Sequence, residues 1–172
     1  EVRASSSDIG ASLRLWTCDG SSSQQWTAVS GASPSAPPLP PAAPAVVLEN
    51  ANSNKCLAVA GRTFSEGAPI EQYSCSAHAN QLWFWQGTSL VNGNSGKCLT
   101  VEGGAASKGA AVIQLSCAQL ASQEWSWNGT ALRHESSGRC LEVMASSSST
   151  GGSIHLWTCD GSSSQQWTAV SG

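Results

Sequence analysis

KCLAVAGRTFSEGAPIEQYSCSAHANQLWFWQG, residues 55–87, decides how this chain folds, because its landmarks return twice at a fixed interval. The Cys56-Leu57 pair comes back as Cys98-Leu99 and Cys140-Leu141, about 42 residues apart each time. Cys75 comes back as Cys117 and Cys159, and Gln81-x-Trp83 as Gln123-x-Trp125 and Gln165-x-Trp167. A leucine leads each copy: Leu48, Leu90 and Leu132. A repeat of this length is one supersecondary unit that cannot bury its apolar face alone, so three copies in unbroken register predict one domain of three units. The units run 46–87, 88–129 and 130–172.

Within a unit the apolar runs are short and alternating, as in KCLAV, KCLTV and RCLEV, and clusters of Gly, Ser and Asn separate them. That pattern predicts strands joined by turns, and helical spacing is nowhere sustained for the ten or more residues a helix needs. Four short strands per unit, taken three times, predict an all-β chain closed into a barrel with few exposed edges.

Composition narrows the chemistry. The 172 residues are 40% hydrophobic, enough for a core, and only 11% charged with a net charge of -3. Neither a phosphate backbone nor an anionic membrane would find an electrostatic footprint, so no nucleic acid partner and no membrane insertion are expected. No apolar run approaches the ~20 residues that span a bilayer. Of seven cysteines, six fall into pairs 19 residues apart, Cys56/Cys75, Cys98/Cys117 and Cys140/Cys159, unlike the tight clusters that hold zinc. Disulfides, and with them secretion to an extracellular setting, are the expectation. Each bridge would contribute roughly 3 kcal/mol by the chain-entropy estimate.

Two segments lie outside the three units. SSSQQWTAVSG occurs at 21–31 and again at 162–172, and residues 1–31 agree with 142–172 at most positions, including Trp16/Trp157, Cys18/Cys159 and Trp26/Trp167. Residues 1–31 therefore read as the closing part of a preceding, near-identical module, with the partner of Cys18 upstream of Glu1. Between them, residues 32–45 hold all but one of the prolines, and so read as a semi-rigid extended linker. The full protein would then be a string of such modules.

Three Gln-x-Trp units with a cysteine pair in each resemble the ricin B-chain type β-trefoil lectins and related carbohydrate-binding modules, over residues 46–172. The resemblance implies a six-stranded barrel capped by three hairpins, with a shallow sugar pocket possible in every unit. It also implies that Trp26, Trp83, Trp125 and Trp167 are core. Trp85 and Trp127, two residues further on the same strand face, would cap that core. Family sites combine an acid two residues after the first cysteine, an aromatic two before the second, and polar groups near the Gln-x-Trp. Carried over, the third unit offers Glu142, His155, Trp157, Ser164 and Gln165 as the main site. The first offers Glu71, Tyr73, Asn80 and Gln81, with Ala58 where the acid should be. The second, with Thr100, Ile113, Leu115, Ser122 and Gln123, has neither acid nor ring and is expected to be inactive. Glu1 and Trp16 repeat the kit in the partial module.

No nucleophile elbow, zinc-protease motif or phosphate loop is present, so neither catalysis nor a metal or other cofactor is expected. The histidines His78, His134 and His155 fall at unequal places in their units, which predicts surface positions. Asn128-Gly129-Thr130 is a glycosylation sequon, and Ser33 and Ser35 are candidate O-glycan sites. Three functions compete on these grounds: a glycan-binding lectin module within an array, a structural repeat of an extracellular fibre, and a polysaccharide-targeting module of a secreted glycosidase.

Overall fold

Three tryptophans plug the centre of the three repeated units. The computed structural model describes residues 44–76 and 78–171, and in it Trp83, Trp125 and Trp167 are all but fully buried. Each indole Nε1 donates to the carbonyl of the leucine that follows the first cysteine, Leu57 at 3.0 Å, Leu99 at 2.9 Å and Leu141 at 3.2 Å. Every ring thus ties the barrel wall to the first strand of its own unit's hairpin. A side chain of this size removes some 150–250 Å² from water, which at ~25 cal/mol per Å² is about 4–6 kcal/mol of burial for each ring.

Twelve strands, four per unit, carry the chain round this plug. In the first unit they are β1 (Val46–Asn50), β2 (Cys56–Val59), β3 (Ile70–Tyr73) and β4 (Leu82–Gln86). The second has β5 (Ser89–Asn92), β6 (Cys98–Val101), β7 (Val112–Leu115) and β8 (Trp125–Asn128). The third has β9 (Ala131–His134), β10 (Cys140–Val143), β11 (Gly152–Trp157) and β12 (Trp167–Ser171). Among the described residues all pairings are antiparallel. The wall contains the β4–β5 and β8–β9 hairpins, and β12 zips onto β1 from Val46 opposite Ser171 to Asn50 opposite Trp167. The hairpins β2–β3, β6–β7 and β10–β11 cap one end. They meet in a triangle through Ser153 opposite Glu71, Pro69 opposite Ile113 and Ala111 opposite His155. This is a β-trefoil, the all-β architecture that the repeats imply.

Equivalent positions build the core in rings of three: Leu48, Leu90 and Leu132; Leu57, Leu99 and Leu141; Val59, Val101 and Val143; Ile70, Val112 and Ile154. Where the sequence reads as alternating, the strands β2, β6 and β10 are buried at every residue. Leu57 and Val59 enter the core, while on the opposite face Cys56 is taken up by its disulfide and Ala58 is paired with Glu71 of β3. Cys56–Cys75, Cys98–Cys117 and Cys140–Cys159 are bonded, each with Cα atoms 5.1 Å apart.

The histidines depart from expectation. His78 is exposed, but His134 is fully buried and His155 is 6% exposed. His134 stands at the position of Asn50 and Asn92, whose amides donate to Ser164 O (2.9 Å) and Asn80 O (3.0 Å) in the neighbouring 3-10 turns. Its Nε2 lies 3.1 Å from Ala121 O, one residue before the matching Ser122, so the imidazole ties the end of β9 to the equivalent 3-10 turn through a neighbouring carbonyl. The tryptophan caps depart in part. Trp85 packs against the core, whereas Trp127 is 37% exposed, its strand β8 being buried only at Trp125. Glu1, Trp16, Cys18, Trp26, Ser33 and Ser35 lie outside the described residues.

Candidate functional site

Strand register alone assembles the predicted sugar residues. In each capping hairpin the residue two after the first cysteine faces the residue four before the second: Ala58 with Glu71, Thr100 with Ile113, Glu142 with His155. One step along, each first cysteine faces the aromatic position: Cys56 with Tyr73, Cys98 with Leu115, Cys140 with Trp157. Antiparallel pairing brings such residues within about 5 Å at Cα, and the disulfide fixes the end of the hairpin.

The glutamines of Gln-x-Trp have a different task from the sugar contact assigned to Gln81 and Gln165. All three are buried, and each clasps the loop after its hairpin. Gln81 Oε1 accepts from Ser76 N (2.8 Å) and its Nε2 donates to Ser74 O (2.9 Å). Gln123 does the same with Ala118 N (2.9 Å) and Ser116 O (3.0 Å), and Gln165 with Asp160 N (3.0 Å) and Thr158 O (2.7 Å). An amide spent on both sides of a cysteine holds the platform strand in place and leaves little to offer a ligand.

In the third unit the expected residues do come together, but they bind one another. Glu142 is buried; Oε2 accepts from Gln165 Nε2 at 2.5 Å and Oε1 lies 3.4 Å from His155 Nε2. His155 stacks on Trp157 with ring centroids 5.4 Å apart and planes 9° from parallel. Ser164 is buried between Ser146 Oγ (3.3 Å) and Ser162 Oγ (3.0 Å). Trp157 keeps part of its ring exposed, and a residue from the second unit reaches it: Lys108 Nζ sits 5.2 Å from the ring centroid. Sequence comparison of units missed Lys108, since it belongs to another repeat and aligns with Glu66 and Thr150.

The first unit is open. Glu71, Tyr73 and Asn80, together with Gly61 and Arg62, line a hollow of about 290 Å³. Tyr73 is 45% exposed. Asn80 is buried; its Nδ2 donates to Val59 O at 3.0 Å, while Oδ1 has no partner among the described residues. Glu71 makes no hydrogen bond or ion pair among the described residues, and burial pushes its carboxyl up from the ordinary glutamate range. Gly61 has φ +62°, a left-handed conformation in which a side chain is strained, so the backbone beside the hollow stays bare. The second unit offers no such arrangement: Thr100 Oγ1 donates to Cys98 O (2.8 Å) and accepts from Gln123 Nε2 (3.1 Å), and Ile113 is buried.

A larger hollow of about 390 Å³ lies where the three hairpins meet, floored by Ile70, Val112 and Ile154 and edged by Glu102 and Met144. Among the described residues no group of three His, Cys, Asp or Glu is placed to hold a metal ion, and no helix is long and apolar enough to cross a membrane. Asn128 is exposed in the β8–β9 turn, where Gly129 takes φ +65°.

Comparison with known proteins places these features in a family context. The family model described as "Ricin-type beta-trefoil lectin domain" matches residues 44–167. A designed 3-fold symmetric protein, ThreeFoil, is 33% identical with a TM-score of 0.69, over 73% of this chain and 97% of that one. The exo-β-1,3-galactanase 1,3Gal43A from Clostridium thermocellum is 25% identical with a TM-score of 0.71, over 78% of this chain but only 31% of the galactanase. The C-half of an earthworm R-type lectin, solved with GalNAc, shares the fold at 15% identity, a TM-score of 0.67, and coverage of 75% and 99%. Among curated proteins none matches.

Proposed function

Since the chain belongs to the ricin-type β-trefoil lectin family, a family of carbohydrate-binding modules, we propose that it binds a sugar residue in the hollow of its first unit. The observation that carries this reading is Asn80, which lines that hollow and whose buried Oδ1 has no donor among the described residues. Leaving such an atom unpaired costs roughly 1–3 kcal/mol, which a ligand hydroxyl would offset. Glu71 supplies a second acceptor and stands in for the acid that Ala58 lacks. Tyr73 offers the face on which the C–H side of a pyranose can lie, as an aromatic wall does in most small-molecule sites. This reading reverses the order expected from sequence, in which Glu142 and Trp157 came first, because Glu142 already spends both its oxygens within the protein.

The wider setting belongs to the same proposal. Three disulfides suit an extracellular protein, and Asn128 in its exposed turn is a glycosylation site there. Repetition of residues 142–172 at 1–31 supports a tandem array in which weak single sites act together. The likeness to one third of a galactanase favours a second setting, a targeting module attached to a glycosidase.

A glycan array probed with the whole chain tests the first-unit site. Tyr73→Ala removes an exposed ring, so binding falls about tenfold, the equivalent of ~1.4 kcal/mol, while the thermal midpoint holds within about 2 °C. Glycan binding that survives Tyr73→Ala combined with Asn80→Ala overturns the proposal.

A further inference from the structure

The two seams between successive units are built alike but charged differently. At the first, Glu66 of unit one meets Lys97 at the start of unit two in an ion pair, and its carboxylate also takes Ser116 N (2.9 Å) and Ser116 Oγ (2.5 Å). One repeat later the same three positions are Lys108, Arg139 and Thr158. An acid–base pair has become two cations. Arg139 donates to Ala106 O (2.6 Å) and to Thr158 Oγ1 (3.4 Å), which sets its guanidinium between the loop that carries Lys108 and the residue after Trp157. Neither Lys108 nor Arg139 enters an ion pair among the described residues. Asp160 is the nearby opposing charge. Its carboxylate is turned to Ser162 N (2.9 Å), and its titration is lowered chiefly by Ser162, with Lys108 a lesser cause.

From this juxtaposition, two cations outside any ion pair among the described residues beside a partly exposed tryptophan, we infer that the third unit takes an anionic sugar residue, one bearing a carboxylate or a sulfate ester. The inference rests on the lectin reading and extends it to a second site with a different ligand. Trp157 provides the ring, and Lys108, whose Nζ lies over that ring 5.2 Å from its centroid, provides the counter-charge on that side. Arg139 adds a fixed fork suited to a planar carboxylate or a sulfate. Glu142 and His155 lie beneath as the support that keeps Trp157 in place, rather than as ligands. Unspecific attraction is a poor account of such binding, because the chain as a whole carries a net charge of -3.

The test uses the whole chain on immobilised polygalacturonate, with its fully methyl-esterified form as the neutral twin, and dextran sulfate against dextran for the sulfate arm. Expected is binding to one or both charged polymers, at least tenfold weaker to their neutral twins and falling with salt. Lys108→Glu reduces the charged-polymer binding at least tenfold and raises the thermal midpoint, because it rebuilds with Arg139 and Thr158 the pairing seen at Glu66, Lys97 and Ser116. Trp157→Ala reduces binding as strongly. Equal binding to charged and neutral polymers overturns the inference, and so does unchanged binding by Lys108→Glu. Loss with Lys108→Glu but not with Trp157→Ala also overturns it, since that pattern is attraction without a sugar platform. Tyr73→Ala reads the first-unit site separately, so either site can fail while the other stands.

Discussion

Replacing the Gln-x-Trp glutamines one at a time by methionine, which fills a similar volume without polar atoms, separates a structural clasp from a sugar contact. The structure ranks the three losses. Gln81→Met strands Ser76 N and Ser74 O, two partly buried groups at about 1 kcal/mol each, or ~2 kcal/mol in total. Gln123→Met strands the equivalent pair and also removes the amide donor to Thr100 Oγ1, for ~3 kcal/mol. Gln165→Met leaves a buried carboxylate, Glu142 Oε2, without its donor; hydrogen bonds to charged groups count roughly 1.5–3 kcal/mol, which brings the total to ~4–5 kcal/mol. In a trefoil of this size each kcal/mol moves the midpoint by about 3–4 °C. Calorimetry at neutral pH with disulfides intact should therefore give graded drops of about 7, 10 and 16 °C, from those two estimates. The clasp argument fails if all three midpoints move by under 2 °C, or if Gln165→Met is no worse than Gln81→Met. A variant that loses glycan binding at unchanged stability would return these residues to the ligand.

Two further outcomes concern pH. The hydrogen bond from Lys97, with those from Ser116, lowers the Glu66 carboxyl from 4.5 to about 2, so the stability it contributes is full above pH 4.5 and lost as pH falls toward 2; Glu66→Gln should flatten thermal midpoints across that window and leave them parallel to wild type above it. Burial lowers the His134 imidazole below 6.5, so stability is full above that pH and declines as pH falls below it. His134→Asn, which copies Asn50 and Asn92, should cost stability at pH 7.5 through lost packing against Trp125, and the gap to wild type should shrink on acidification; a constant gap would refute the titration.

Much of the fold was legible because the repeat is a packing statement. Leucine, Cys-Leu and Gln-x-Trp recur where three equivalent strands enter one core, and each disulfide was written in a constant spacing. What the sequence concealed is side-chain bookkeeping within and between units. Aligning units sets Glu142 above Ala58 as the better acid, yet alignment is silent on the partners that bury it. His134 reads as a surface histidine because the three histidines fall at unequal places in their units; only the 3-10 turn packed against the end of β9 reveals that it takes the place of the buried Asn50 and Asn92. Lys108 is invisible to any within-unit comparison, since it reaches Trp157 across a seam.

The pairing of β1 with β12 has a mechanical consequence. Val46 lies opposite Ser171, so the trefoil receives and releases its chain at one point. Tension through those two ends loads the pair like a zipper, with hydrogen bonds parting one after another instead of together in shear. Peeling would begin at low force and travel inward, then stop at covalent latches: Cys159 is tied to Cys140 and Cys56 to Cys75, and beyond them lie only β1, β12, the segments 51–55 and 160–166, and the 3-10 turn Ser163–Gln165. Under load such a module would give up β1 and β12 readily, lengthen by a limited step, and keep its capping hairpins closed.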